Sequence, residues 1–74
     1  MKFMVCVSRQ GMGGFSTDDL TLGRLYEVVS PRDDRGMIRV IDDSGEDYLY
    51  PASLFAAVEI EAPVAAKLHA LLVA

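Results

Sequence analysis

Apolar and polar positions alternate with a period of two over much of the chain, which is the spacing of strands rather than helices. Phe3-Met4-Val5-Cys6-Val7 is short, rich in β-branched and aromatic residues, and closed by Ser8-Arg9-Gln10; it predicts a first strand covered on both faces. In Arg24-Leu25-Tyr26-Glu27-Val28-Val29-Ser30, Tyr26 and Val28 share one face while Leu25, Glu27 and Val29 share the other, which predicts a second strand. Met37 to Asp42 reads as a third, with Ile38 and Val40 flanking Arg39, and Asp47-Tyr48-Leu49-Tyr50 as a fourth, stopped by Pro51, which has no amide to donate. Pro51 to Phe55 is the length of one helical turn, and Ala56 to Ile60 reads as a short closing strand.

Turn chemistry separates these segments. Residues 11 to 19 hold Gly11, Gly13 and Gly14 among polar turn-formers and predict a long loop. Pro31 to Gly36 reads as a hairpin connection, and Ser44-Gly45 as a tight turn in which Gly45 takes a positive φ. The tail changes period: Glu61-Ala62-Pro63 opens a helix, and Val64, Leu68, Leu71 and Leu72 fall at i, i+4, i+7 and i+8 on one side of it. A helix of about 11 residues is marginal alone in water, so that stripe must be covered.

Five short strands, a long Gly-rich loop, two hairpins and a single helical turn describe a mostly β chain curled into a small barrel over residues 1–60. A short C-terminal α-helix, residues 61–74, would pack on the barrel or on a partner. The order resembles the Src-homology-3 (SH3)-like barrel. Leu22-Gly23-Arg24-Leu25-Tyr26-Glu27-Val28 is similar to that family's diverging turn and second strand. Asp43 to Phe55 is similar to its distal hairpin, fourth strand and one-turn helix. In the peptide-binding members, the resemblance implies a groove built from first-loop aromatics, a tryptophan opening the third strand and a tyrosine in the one-turn helix. This chain has no tryptophan, opens that strand with Met37 and Ile38, and carries Leu54 in the tyrosine's place; Pro51 alone matches. Recognition of proline-rich ligands needs aromatic walls and is not carried over. The chain looks closer to small uncharacterised single-domain bacterial and phage proteins with the same barrel.

Seventy-four residues suffice for one domain, and an apolar fraction of 51% against 24% charged is the composition of a folded chain. The lone Cys6 excludes an internal disulfide. Six bases and five acids lie in residues 1–41, whereas Lys67 stands against six acids in residues 42–74, giving −4 in total. Arg24, Arg32, Arg35 and Arg39 are interleaved with acids, which weighs against nucleic-acid binding because that needs an uncancelled basic stripe. No apolar run reaches the roughly 18 residues of a membrane span, and the first residues lack the pattern of a signal peptide, so a soluble cytoplasmic protein is expected.

Candidate chemistry is sparse. Gly11-x-Gly13-Gly14 lacks the Lys-Ser/Thr that completes a phosphate loop. Asp42, Asp43, Glu46 and Asp47 do not follow a calcium-loop frame and read as solvated turn residues, as do Asp18-Asp19 and Asp33-Asp34. Cys6 sits mid-strand in apolar company, and His69 has no orienting acid beside it, so neither predicts a nucleophile or base. The expectation is a protein without enzymatic activity, metal or cofactor. The aromatics Phe15, Tyr48 and Tyr50 are the candidate surface for a protein partner, because exposed rings mark such surfaces; alternatively, Tyr48 and Tyr50 lie beneath the C-terminal helix. Two other functions compete: self-association through Val64, Leu68, Leu71 and Leu72, and a weak nucleic-acid-binding barrel using the four arginines.

Overall fold

The periodicity of two is realised as a single antiparallel sheet. A computed structural model describes residues 2–10 and 17–72. Its strands are β1 (Lys2–Cys6), β2 (Leu25–Ser30), β3 (Met37–Ile41), β4 (Asp47–Pro51) and β5 (Phe55–Ala57), in the spatial order β4-β3-β2-β1-β5, and α1 (Ala62–Leu72) follows. A 3₁₀ turn, Ala52–Leu54, joins the two edge strands.

Both hairpin turns arise from the same four-residue pattern. In Asp33-Asp34-Arg35-Gly36 and Asp42-Asp43-Ser44-Gly45, the first carbonyl accepts the glycine amide, at 3.1 and 3.0 Å. The first aspartate carboxylate accepts the amide two residues on, at 2.9 Å in each. Gly36 and Gly45 have φ of +77° and +85°, which closes a type I turn followed by a left-handed residue. The Asp33 carboxyl is held below the usual carboxylate range, first by the Met37 amide and then by Arg35.

Alternation then sorts the faces. Cys6, Tyr26, Ile38, Val40, Tyr50 and Phe55 project to the inner face and, with Leu20 from the preceding loop and Leu54 from the 3₁₀ turn, form the core; Met4 and Val28 pack against it. Between Val28 and Ser30 the β2–β3 register slips, so β2 carries a bulge that bends the sheet around this core.

The sheet does not close into the barrel expected of residues 1–60. Strands β4 and β5 remain its edges, and the open side is filled by Leu20 and Leu54, both 2% exposed. The closing strand is also shorter than expected and begins earlier. Phe55 pairs with Cys6 and Ala57 with Met4, after which β1 has only its first two described residues to offer.

The outer face of β1 and β2 carries Phe3 and Val5 opposite Glu27 and Leu25. Helix α1 is tied to this face by a hydrogen bond between His69 Nδ1 and Glu27 Oε1. Its inward side is Ala65, Leu68, His69 and Leu72, one step round from the expected stripe. Val64 and Leu71 are instead exposed, at 46% and 76%. Ala65 marks the offset: at 3% exposed, it is the buried residue of the helix.

A Cβ added at Gly45 would meet nothing within 4 Å, so only backbone strain opposes it. Gly45→Ala is expected to lower stability by about 1–2 kcal/mol, measured as a fall in the urea midpoint at unchanged slope.

Candidate functional site

The consecutive residues Asp42 and Asp43, at the exit of β3, organise the polar side chains of this end of the sheet. Asp42 is 3% exposed, so its carboxylate must find its donors inside the protein. Oδ1 accepts the Ser44 amide at 2.9 Å and the Ser44 hydroxyl, and Oδ2 accepts the Tyr50 hydroxyl at 2.7 Å. Asp43 points the other way. Its Oδ1 accepts Arg24 Nη1 at 2.5 Å and the Tyr26 hydroxyl at 2.8 Å, and its Oδ2 accepts the Thr21 hydroxyl at 2.8 Å. The Asp43 amide donates to the Asp19 carbonyl at 2.8 Å, which fastens the loop before β2 to the β3–β4 turn.

The tyrosines carry this network into the core. Phe55 lies edge-on to both rings, with centroids 6.0 Å from Tyr26 and 6.3 Å from Tyr50. Burial, then the bond to Asp42, push the Tyr50 phenol well above the ordinary phenol range. Tyr26 is raised chiefly by burial, and its oxygen also accepts the Thr21 amide at 2.6 Å. Arg24 lies 5.4 Å from the centre of the Tyr26 ring while it bridges to Asp43. The reading of Asp42 and Asp43 as solvated turn residues is therefore corrected. They are structural acceptors, and no buried side-chain nitrogen or oxygen among the described residues lacks a partner.

The structure separates the expected site residues. Tyr48 and Tyr50 do share a face, but it is the inner one, away from the helix. Tyr50 is 5% exposed and belongs to the core, whereas Tyr48 is 48% exposed. The Tyr48 hydroxyl donates to Glu46 Oε2 at 2.8 Å, and that bond raises its phenol's pKa. Phe15 and the Gly11-x-Gly13-Gly14 loop lie outside the described residues. Of the helical set, Leu68 and Leu72 are half-buried, while Val64 and Leu71 face out. Cys6 is buried on the inner face, its thiol donating to the Ser8 carbonyl at 3.3 Å. His69 is on the outer side of the sheet, held by Glu27, an acid 42 residues away that sequence proximity could not reveal. Cys6 and His69 therefore do not meet. Arg24, Arg35 and Arg39 bridge to Asp43, Asp33 and Asp47 respectively.

Beside β4 a groove of about 600 Å³ opens over Asp19, Arg39, Ser44, Glu46, Tyr48 and Leu49, with Asp42 and Tyr50 also in its wall. Asp19 and Glu46 make its rim acidic, and its one cation, Arg39, is engaged by Asp47 at 3.3 Å. Among the described residues no cluster of three or more His, Cys, Asp or Glu is placed to hold a metal ion. Nor is any described helix long and apolar enough to cross a membrane. No protein-family model, curated protein or solved structure matches the chain.

Removing the Tyr50 hydroxyl takes one donor from a buried carboxylate. Tyr50→Phe is expected to cost about 2–3 kcal/mol at neutral pH, read by chemical denaturation. Because folding raises the phenol pKa values of Tyr26 and Tyr50, their contribution is complete below the unfolded phenol value of about 10 and is lost as pH rises above it. Wild-type stability should fall across that alkaline range, and Tyr50→Phe should show a shallower fall.

Proposed function

We propose that the protein is a small non-catalytic binding module that takes a protein partner in the groove beside Tyr48. The carrying observation is that Tyr48 leaves an aromatic ring 48% exposed on an edge strand, in the wall of a 600 Å³ groove. The reading is further supported by how the nearby polar groups are used. The carboxylates of Asp42 and Asp43 are engaged by internal hydrogen-bond donors rather than left open to a substrate.

The groove's chemistry favours an extended, basic segment. Register fixes which backbone groups of β4 are free: Ala52 donates to Gly36, so positions 48 and 50 also face β3 and Leu49 faces outward. A partner strand could pair there only briefly, because Pro51 offers no amide and Asp47 places a charge at the other end. A lysine or arginine of that strand would find the Tyr48 ring beside Glu46 and Asp19. The strand order and the 3₁₀ turn between β4 and β5 are compatible with the SH3-like reading, and this ligand would differ from the proline-rich one.

Extended basic decapeptides titrated into labelled protein should shift the amides of Glu46, Tyr48 and Leu49, and Tyr48→Ser should weaken them about tenfold. Equal binding by wild type and Tyr48→Ser overturns the reading.

Self-association through α1 is a second reading, supported by the exposure of Val64 and Leu71. It expects a concentration-dependent dimer in sedimentation that Leu71→Glu abolishes, and a strict monomer at high concentration removes it.

A further inference from the structure

At the opposite end of the inner face, a second cleft has a different character. It holds about 220 Å³, roughly seven waters' worth of liquid volume. Met4, Val28, Ile38 and Phe55 supply its apolar lining, and Lys2 and Arg32 stand in its wall, with no acid among the lining residues. The cleft follows from the open sheet: the core is plugged by Leu20 and Leu54, but beyond Phe55 no described residue covers the inner face between β2 and β5.

Neither cation meets an acid among the described residues, as is also true of Arg9 and Lys67. Arg24, Arg35 and Arg39 each have an aspartate, whereas neither Lys2 nor Arg32 has an ion pair or side-chain hydrogen bond among the described residues. Asp33, the nearest acid in sequence to Arg32, is turned to Arg35 and to the backbone of its own turn. In a chain of net charge −4, two unpaired cations thus converge on one apolar cleft.

We propose that this cleft binds a small apolar carboxylate, a medium-chain fatty acid, with its chain over Met4, Val28 and Phe55 and its carboxylate between Lys2 and Arg32. Charge complementarity selects the head group, since the lining has donors for an anion and nothing to repel one. The volume selects the tail, because an acyl chain of about eight carbons approaches the capacity of a 220 Å³ cleft. This site is separate from the Tyr48 groove, so either reading can fail without the other.

The test is a titration of the labelled full chain with butyrate, hexanoate, octanoate and uncharged octanol, followed by amide shifts and calorimetry. Octanoate should move Met4, Val28, Arg32 and Ile38, with affinity rising about fourfold for each added methylene. The double variant Lys2→Gln/Arg32→Gln, altered only at exposed side chains, should weaken octanoate about tenfold and leave octanol unchanged. Octanol binding as tightly as octanoate to the wild type overturns the proposal. So do shifts confined to Val64 and Leu71, or an acidic peptide that occupies the cleft when octanoate does not.

Discussion

A carboxylate that is buried and charged constrains everything around it, because each unsatisfied lone pair is costly in a low dielectric. Asp42 is in that position. Ser44 must sit two residues later to supply an amide and a hydroxyl, which fixes the turn, and Tyr50 must come back along β4 to supply the third donor. With Tyr50 fixed, its ring sets one wall for Phe55, and Tyr26, held through its hydroxyl by Asp43, sets the other. The register of β3 with β4 and the placement of β5 thus trace to two adjacent acids. Losing one donor would leave a charge stranded in the core, a larger penalty than the mean worth of a hydrogen bond.

The same anchoring explains how an open sheet keeps its core buried. A closed barrel excludes water by pairing its edges; here Leu20 and Leu54 do so by occupying the gap. Leu20 can serve only because its loop is fastened, through the Asp19 carbonyl, Thr21 and Arg24, to Asp43. On the other face α1 is held by His69 to the Glu27 carboxylate, with Ala65 buried on its inward side.

Much of this was legible in the residues and some was not, for physical reasons. Gly36 and Gly45 announce their turns because only positive φ closes them, and the alternation of Ile38, Arg39 and Val40 shows the inner face directly. The burial of Asp42 was hidden because a run of acids resembles a solvated turn, and its decisive donor is on the next strand. The repeated Asp-Asp-x-Gly pattern was the available signal: a carboxylate that folds back on its own turn is already half satisfied. The helix face sits one step from the hydrophobic stripe because hydrophobicity favours Val64 and Leu71, whereas the inward side carries the small Ala65 and a histidine with a distant acid. Tyr48 and Tyr50 are two positions apart on one face; the Asp42 bond draws one inside, and alternation cannot distinguish them.

Internal use of charge also shapes the surface. An acidic chain could be expected to present negative potential all round, but its acids are consumed unevenly. At the β3–β4 turn Asp43 is paired with Arg24, whereas Asp42 meets only neutral donors, so Asp19, Asp42 and Glu46 together make the groove acidic. At the far end Asp33 is folded onto its own turn and onto Arg35, and Arg32 and Lys2 have no ion pair among the described residues. Turn formation and surface potential are therefore one problem here. The carboxylates that close the hairpins are folded onto their own turns, and the charged side chains left over line the two clefts.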